Sequence, residues 1–155
     1  MAELQASIGD IIAERDVHLT RETLVRYAGA SGDFNAIHYR DDVAACVGLP
    51  GVLAHGMLTM GIAITTLGAW LGDPARLIDY GVRFTRPVVV DPEAGATIAV
   101  SAKVAAIGDD GIARVDLTVT HEGTTVLGKA QARVRLGSAP APAEAAPADA
   151  ASGEA

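Results

Sequence analysis

Cysteine occurs once, at Cys46, so no internal disulfide can form, and a lone thiol fits a reducing compartment. Cations are scarce: 12 Lys and Arg stand against 19 Asp and Glu, a formal net charge of −7. A nucleic-acid partner, which would call for a basic stripe, is therefore not expected. Part of the imbalance is local. The last eighteen residues hold Glu144, Asp149 and Glu154 but no Lys or Arg, leaving about −4 for the rest. The start lacks a basic segment followed by an apolar one, so no signal peptide is expected and the cytoplasm is the expected location. Four scattered histidines and one cysteine show no metal-ligand spacing, so no metal is expected either.

What is present is a chain of 155 residues, half apolar and one-fifth charged, the composition of one globular domain. Val52 to Leu71, "VLAHGMLTMGIAITTLGAWL", is twenty residues with no charge except a possible one on His55, long enough to span a bilayer. Three glycines, three threonines and a histidine interrupt it, and no Lys/Arg cluster flanks it. Four amphipathic strand patterns follow and need something apolar to cover. The run is therefore expected to be a buried helix, apolar on every side because a sheet wraps it, and not a membrane span.

A first strand is expected over 12–19. Thr20 is placed to N-cap a helix over 21–29, with Glu22 in its first turn, and Gly29, Ser31 and Gly32 break it. Asp41 and Asp42 open a second short helix ending at Gly48, and the long helix runs from about Gly56 to Leu71 before Gly72-Asp73-Pro74. The remainder alternates. Tyr80, Val82 and Phe84 oppose Arg83 and Thr85. Ile98, Val100, Ala102 and Val104 oppose Ser101 and Lys103. Val115, Leu117 and Val119 oppose Asp116, Thr118 and Thr120. Ala130, Ala132, Val134 and Leu136 oppose Lys129, Gln131, Arg133 and Arg135. A period of two with one wet face predicts antiparallel strands, with turns at Gly108-Asp109-Asp110-Gly111 and His121-Glu122-Gly123. The expected fold is α+β, a single hot-dog domain over 1–137 in which an antiparallel sheet wraps one apolar helix. Residues 138–155, half alanine with three prolines, are expected to be a disordered acidic tail.

The chemistry centres on "SGDFNAIH", Ser31 to His38. Asp-x-Asn-x-x-His alone is also the composition of an ordinary polar loop, in which Asp and Asn bond nearby backbone. Here Gly32 permits a sharp turn before Asp33, while Phe34 and Ile37 are placed to pin the loop to the core. Asp33 and His38 would then face one side and hold a water between them. About twenty residues on, "AHGM" starts the apolar helix, and the Gly56 N–H at that N-terminus suits a developing oxyanion. Cys46 is expected to be buried and inert, and Met57, Leu58 and Met60 to be core or tunnel wall. His18 and His121 read as strand and turn residues. Arg83, Arg86, Lys129, Arg133 and Arg135 read as a solvated sheet face, or as cations for an acidic carrier or coenzyme A phosphates.

"YAGASGDFNAIHYRDDVA", Tyr27 to Ala44, resembles the signature of the MaoC-like, R-specific enoyl hydratase family: aromatic, small residues, Ser-Gly-Asp-x-Asn-Pro-aliphatic-His, then a small residue six positions later. The resemblance covers about residues 5 to 136. "HGMLTMGI" and "LGDP…YGVRFTRPV" look most like the HadB-like catalytic subunit of actinobacterial (3R)-hydroxyacyl-acyl-carrier-protein dehydratases. Ala36 departs from the family's proline, which loosens the loop without removing a functional group. The resemblance implies a hydro-lyase acting reversibly between trans-2-enoyl and (3R)-hydroxyacyl thioesters in fatty-acid metabolism, carried on coenzyme A or acyl carrier protein, with no cofactor. It implies Asp33 and His38 as the catalytic pair and the Gly56 N–H on the thioester oxygen. Asn35 would orient the loop. His55 itself reads as a structural residue at the helix start, its ring able to cap the helix or line the site. A single hot-dog domain leaves a long strand edge, so a homodimer, or a heterodimer with a paralogous hot-dog subunit, is expected. Two alternatives stand beside the hydro-lyase. A non-catalytic hot-dog subunit could dispense with Asp33 and His38, and a hot-dog thioesterase would carry a carboxylate on the central helix, where residues 56–71 have none.

Overall fold

Capping chemistry sets the first helix. In the computed structural model, which describes residues 3–137, strand β1 (Ile11–Leu19) leads into helix α1 (Arg21–Ser31). The expected acidic tail lies outside the described residues. The Thr20 hydroxyl accepts from the Thr23 N–H, and Thr23 returns a bond to the Thr20 N–H, a reciprocal capping box. The helix runs on through Gly29 to Ser31, two residues past the expected end. Gly32 closes it at φ 76°, a left-handed cap that glycine adopts without steric cost. A 3-10 turn, Ala36–His38, and helix α2, Asp41–Cys46, follow.

Helix α3 is Gly56–Leu71, as the pattern predicts, ended by Gly72 in the left-handed conformation. Strands β2 (Leu77–Phe84), β3 (Ala96–Ile107), β4 (Ile112–His121) and β5 (Thr124–Arg135) complete a five-stranded antiparallel sheet of order β1-β3-β4-β5-β2. The four alternating segments are all strands, and the expected first strand, β1, joins the sheet beside β3. The β4–β5 hairpin turns through Glu122 and Gly123, both at positive φ, matching the twist of the flanking strands. Register places Val100 opposite Val119, Ala102 opposite Leu117 and Val104 opposite Val115, and Ala132 pairs with Val115 from the other side. These residues, all buried, form one dry face.

Helix α3 lies on that face with Thr59, Ala63, Thr66, Leu67 and Leu71 buried, a spacing of three and four that marks one stripe. The α+β layering is as expected, but the helix is not dry on every side within one chain. Met57 is 57% exposed, and Met60, Ile64 and Gly68 are only partly buried. The apolar flank is therefore a helix face this protomer leaves uncovered. No helix among the described residues is long and apolar enough to cross a membrane.

Three smaller expectations change. Cys46 is exposed, because the six-residue α2 buries only Ala44. Phe34 is 63% exposed, so the loop is held by hydrogen bonds and not by that ring. Phe84, at the end of β2, is half exposed and lies against the start of α3 instead of sharing the core with Tyr80 and Val82. Arg76, which no local pattern marks, is buried and donates to the carbonyls of Arg135, Leu136 and Gly137 at 3.2, 2.6 and 2.9 Å. It thereby satisfies backbone acceptors at the end of β5.

Candidate active site

The loop after α1 is a ladder of local hydrogen bonds. Ser31 Oγ accepts from the Asp33 N–H, Asp33 Oδ1 from the Asn35 N–H, and Asn35 Oδ1 from the Ile37 N–H, at 3.2, 3.2 and 3.3 Å. Each polar residue bonds the backbone two positions on, as Ser, Asp and Asn do in turns. Asn35 thereby N-caps the 3-10 turn that carries His38, so its loop-orienting position is local backbone capping. Ser31 also donates to the Tyr27 carbonyl at 2.8 Å, tying the loop back to α1. With Oδ1 held in the turn, Asp33 Oδ2 lies 4.0 Å from His38 Nε2. A water oxygen about 2.8 Å from each atom fits that gap.

A short extended segment joins this loop to α3. Val52 and Ala54 pair with the backbone of Val88 and Val90, while the Leu53 N–H donates to the Ile37 carbonyl at 3.1 Å. The Leu53 carbonyl then accepts from His38 Nδ1 at 2.8 Å. A carbonyl cannot donate, so Nδ1 carries a hydrogen, and Nε2 is the ring atom turned toward Asp33. Arg21 fastens the outer side. Its guanidinium pairs with Asp41 at 2.7 Å and donates to the Val90 carbonyl at 2.6 Å. Asp41 is held below the usual carboxylate range by that pairing.

His55 precedes α3 in the N-cap position but makes no side-chain cap bond. Its ring is 1% exposed and lies behind His38, stacked at 3.8 Å between centroids and 21° between planes. The Tyr27 ring packs against it in an edge-to-face arrangement, 4.9 Å between centroids. His55 Nε2 donates to the backbone carbonyl of Asp33 at 3.2 Å, while Nδ1 is buried without a partner. Burial first, and then the neighbouring His38, keeps this ring below the ordinary imidazole range. His55 thus neither caps the helix nor lines the pocket. It supports the two residues that face it.

The pocket itself, about 340 Å³, is lined by His38, Gly56, Thr59 and Phe84, with Leu53, Val88, Val126 and Leu127 as apolar wall. Gly56 begins α3, so its N–H has no intrahelical acceptor, and no other described group accepts from it. The Phe84 ring passes 3.1 Å from where a Cβ on Gly56 would stand, a close approach that a glycine allows. An adjoining cavity of about 480 Å³ shares Arg86 and Pro87 with this pocket and contains Arg21 and Asp41. Of the expected cations, Arg86 reaches the site, whereas Arg133 pairs with Asp79 on the sheet.

Asp33, His38 and His55 are the one His/Cys/Asp/Glu group among the described residues with possible ligand atoms within 4.8 Å of one another. The two stacked rings lie in nearly parallel planes. His38 Nδ1 and His55 Nε2 already donate to carbonyls. The cluster suits proton handling beside an apolar pocket better than a convergent ligand set.

Residues 4–125 match the family described as MaoC like domain. The chain is 36% identical over 83 residues to 3-hydroxyacyl-thioester dehydratase X of Mycobacterium tuberculosis, a match covering 54% of this chain and 29% of that one. It is 31% identical over 100 residues to the (R)-specific enoyl-CoA hydratase of Rhodospirillum rubrum, covering 64% and 65%. A solved structure titled MaoC-like dehydratase superposes with a TM-score of 0.82 at 36% identity, covering 85% of this chain and 41% of that chain. The chain thus spans under a third of the first relative and just under two-thirds of the second.

Proposed function

The chain belongs to the MaoC-like domain family, and on that premise we propose that it is a hydro-lyase interconverting trans-2-enoyl and (3R)-hydroxyacyl thioesters. One observation carries the reading. A carboxylate oxygen and an imidazole nitrogen stand 4.0 Å apart beside an apolar pocket that His38 lines together with the N-terminus of a helix. The names of the relatives support the reaction class.

In the hydration direction, a water between Asp33 Oδ2 and His38 Nε2 loses a proton to the pair as its oxygen bonds to C3. The double-bond electrons move toward the thioester, whose oxygen gains charge facing the Gly56 N–H. The pair returns a proton to C2. One water has been added, the pair is back in its starting state, and no redox or metal step is required. Dehydration follows the same steps in reverse. The local ladder fixes Asp33 and the Leu53 carbonyl fixes the His38 tautomer, so the geometry stands before substrate arrives.

The acyl chain occupies the apolar pocket, and Arg86 is the cation nearest it for a carrier of the coenzyme A or acyl-carrier-protein type. The working enzyme is at least a dimer in the cytoplasm and uses no cofactor. Strand β2 is an outer strand, and the flank of α3 bearing Met57 is uncovered beside it. Two features weigh against the alternatives: α3 holds no carboxylate for a thioesterase, and both members of the pair are present, which a non-catalytic subunit would not need. The test is loss of the enoyl absorbance when the purified chain meets trans-2-enoyl thioesters of several lengths. Activity with one or more supports the reading. Activity that appears only with a second hot-dog protein means a heterodimer, and no activity under either condition refutes it.

A further inference from the structure

We propose that His55 is a positioning residue for this reaction, acting as a neutral brace that sets Asp33 and His38 against each other. This rests on the reading of Asp33 and His38 as the reacting pair. His55 makes one contact to each: its ring face to the ring of His38 at 3.8 Å, and its Nε2–H to the Asp33 carbonyl at 3.2 Å. The second contact sets the tautomer of the ring. Donation to a carbonyl places the hydrogen on Nε2, which leaves Nδ1 bare, and Nδ1 lies buried with no partner.

A second proton on Nδ1 would bury an unpaired cation against His38, the costly arrangement that burial of the ring disfavours. The groups facing the ring are Tyr27 from α1, Asp33 from the loop and His38 from the 3-10 turn. Of these, the Asp33 carboxylate is turned toward His38 and accepts from backbone, so it does not hold a proton on Nδ1. His55 therefore works as fixed matter, an aromatic plate with one donor at its edge. The N-cap position it occupies leaves the ring free for this, since it makes no cap bond.

Two substitutions separate the two contacts. His55→Phe keeps a plate and loses the donor; His55→Gln keeps a donor at the reach of Nε2 and loses the plate. Displacing a reacting group by about 1 Å can cost a hundredfold. His55→Phe should lower kcat by about 10²-fold with KM within a few-fold of wild type, and His55→Gln should recover to within about tenfold. In an Asp33→Asn background His55→Phe should cost little more, because the group it positions is already inert. A kcat within twofold of wild type for His55→Phe overturns the proposal, as does a full hundredfold loss in the Asp33→Asn background, which would mark a general structural role. A measurement independent of turnover, ¹⁵N NMR of the imidazoles, should show neutral His55 with its hydrogen on Nε2 at pH 7. An imidazolium, or a hydrogen on Nδ1, overturns it even if His55→Phe fails to fold. A wild type inactive on every enoyl thioester removes the functional reading itself, an outcome distinct from an active wild type indifferent to His55.

Discussion

Replacing Gly56 tests whether its backbone N–H or the space above it matters. A proline there removes the N–H, and the surrounding backbone tolerates it. Gly56 is the first residue of α3, where that donor is unpaired in any helix. His55, immediately before it, already sits at φ −60° and ψ 130°, the extended region that a following proline favours. Gly56→Pro should therefore fold and still bind the hydroxyacyl product weakly. Turnover should fall about 10²–10³-fold, the cost of one oxyanion donor, which corresponds to ~3–4 kcal/mol of transition-state stabilisation.

Gly56→Ala keeps the N–H and adds a methyl group 3.1 Å from Phe84 Cδ1 and Cε1, so the ring must give by a few tenths of an ångström. Phe84 is half exposed and has somewhere to go. The expected loss is under about tenfold, since the shift required is well short of the 1 Å that costs a hundredfold. Phe84→Leu should relieve most of it in the alanine background. Steady-state kinetics on one enoyl thioester, with melting curves to check folding, decide the matter. Equal losses for alanine and proline would mean that the glycine supplies room alone, and a fully active proline variant would refute the oxyanion role.

Asp33→Asn retains an oxygen for the turn to Asn35 while replacing the atom that faces His38, so it and His38→Ala should fold and each lose ~10²–10⁴ in rate. The double variant should be little worse than either, and near-normal turnover in both singles would end the assignment. Sedimentation should give at least a dimer; a stable, active species of 15.8 kDa would contradict the account of the uncovered α3 flank. His55 also predicts a pH dependence of stability. Its folded pKa lies below 6.5, so between that lowered value and 6.5 the unfolded chain binds the extra proton, and stability must fall as pH drops through this window. His55→Phe should flatten that part of the melting-temperature profile between pH 7 and 5. Asp41, Asp42 and Asp91, whose pKa values are lowered from 3.8, lose their contribution only at lower pH. A wild-type profile indistinguishable from His55→Phe would show that His55 titrates normally.

The parts of the molecule legible in the sequence are those built from near neighbours. The α3 boundaries, the Thr20 cap and both hairpin turns depend on residues within a few positions, and all appear where the pattern places them. The Ser31-Asp33-Asn35 ladder is equally local, since each side chain bonds the amide two residues on. Arg76 shows the opposite case. Its acceptors are 59 to 61 residues away, so nothing near it in the chain marks a buried guanidinium. His55 is intermediate. Its place at the start of α3 and a structural role are legible, but its partners Tyr27, Asp33 and His38 come from α1, the loop after it and the 3-10 turn, so nothing beside it in the chain shows which groups it supports.

Phe84 shows how a correct strand pattern still misplaces a side chain. Alternation puts it with Tyr80 and Val82, which are partly buried, but β2 ends at Phe84, beside the N-terminus of α3 and past its buried stripe. The ring turns to the nearest surface without a side chain, the one above Gly56, 28 residues earlier. A strand-end aromatic and a helix-start glycine are each unremarkable alone. Together they set the lip of the pocket: any larger residue at 56 would push the ring outward, and losing the ring would open the wall where the thioester has to lie. Glycine at this position therefore answers two demands at once, an unobstructed N–H and the close approach of Phe84; alanine fails the second alone and proline fails both, so the loss in the proline variant beyond that in the alanine variant measures the N–H.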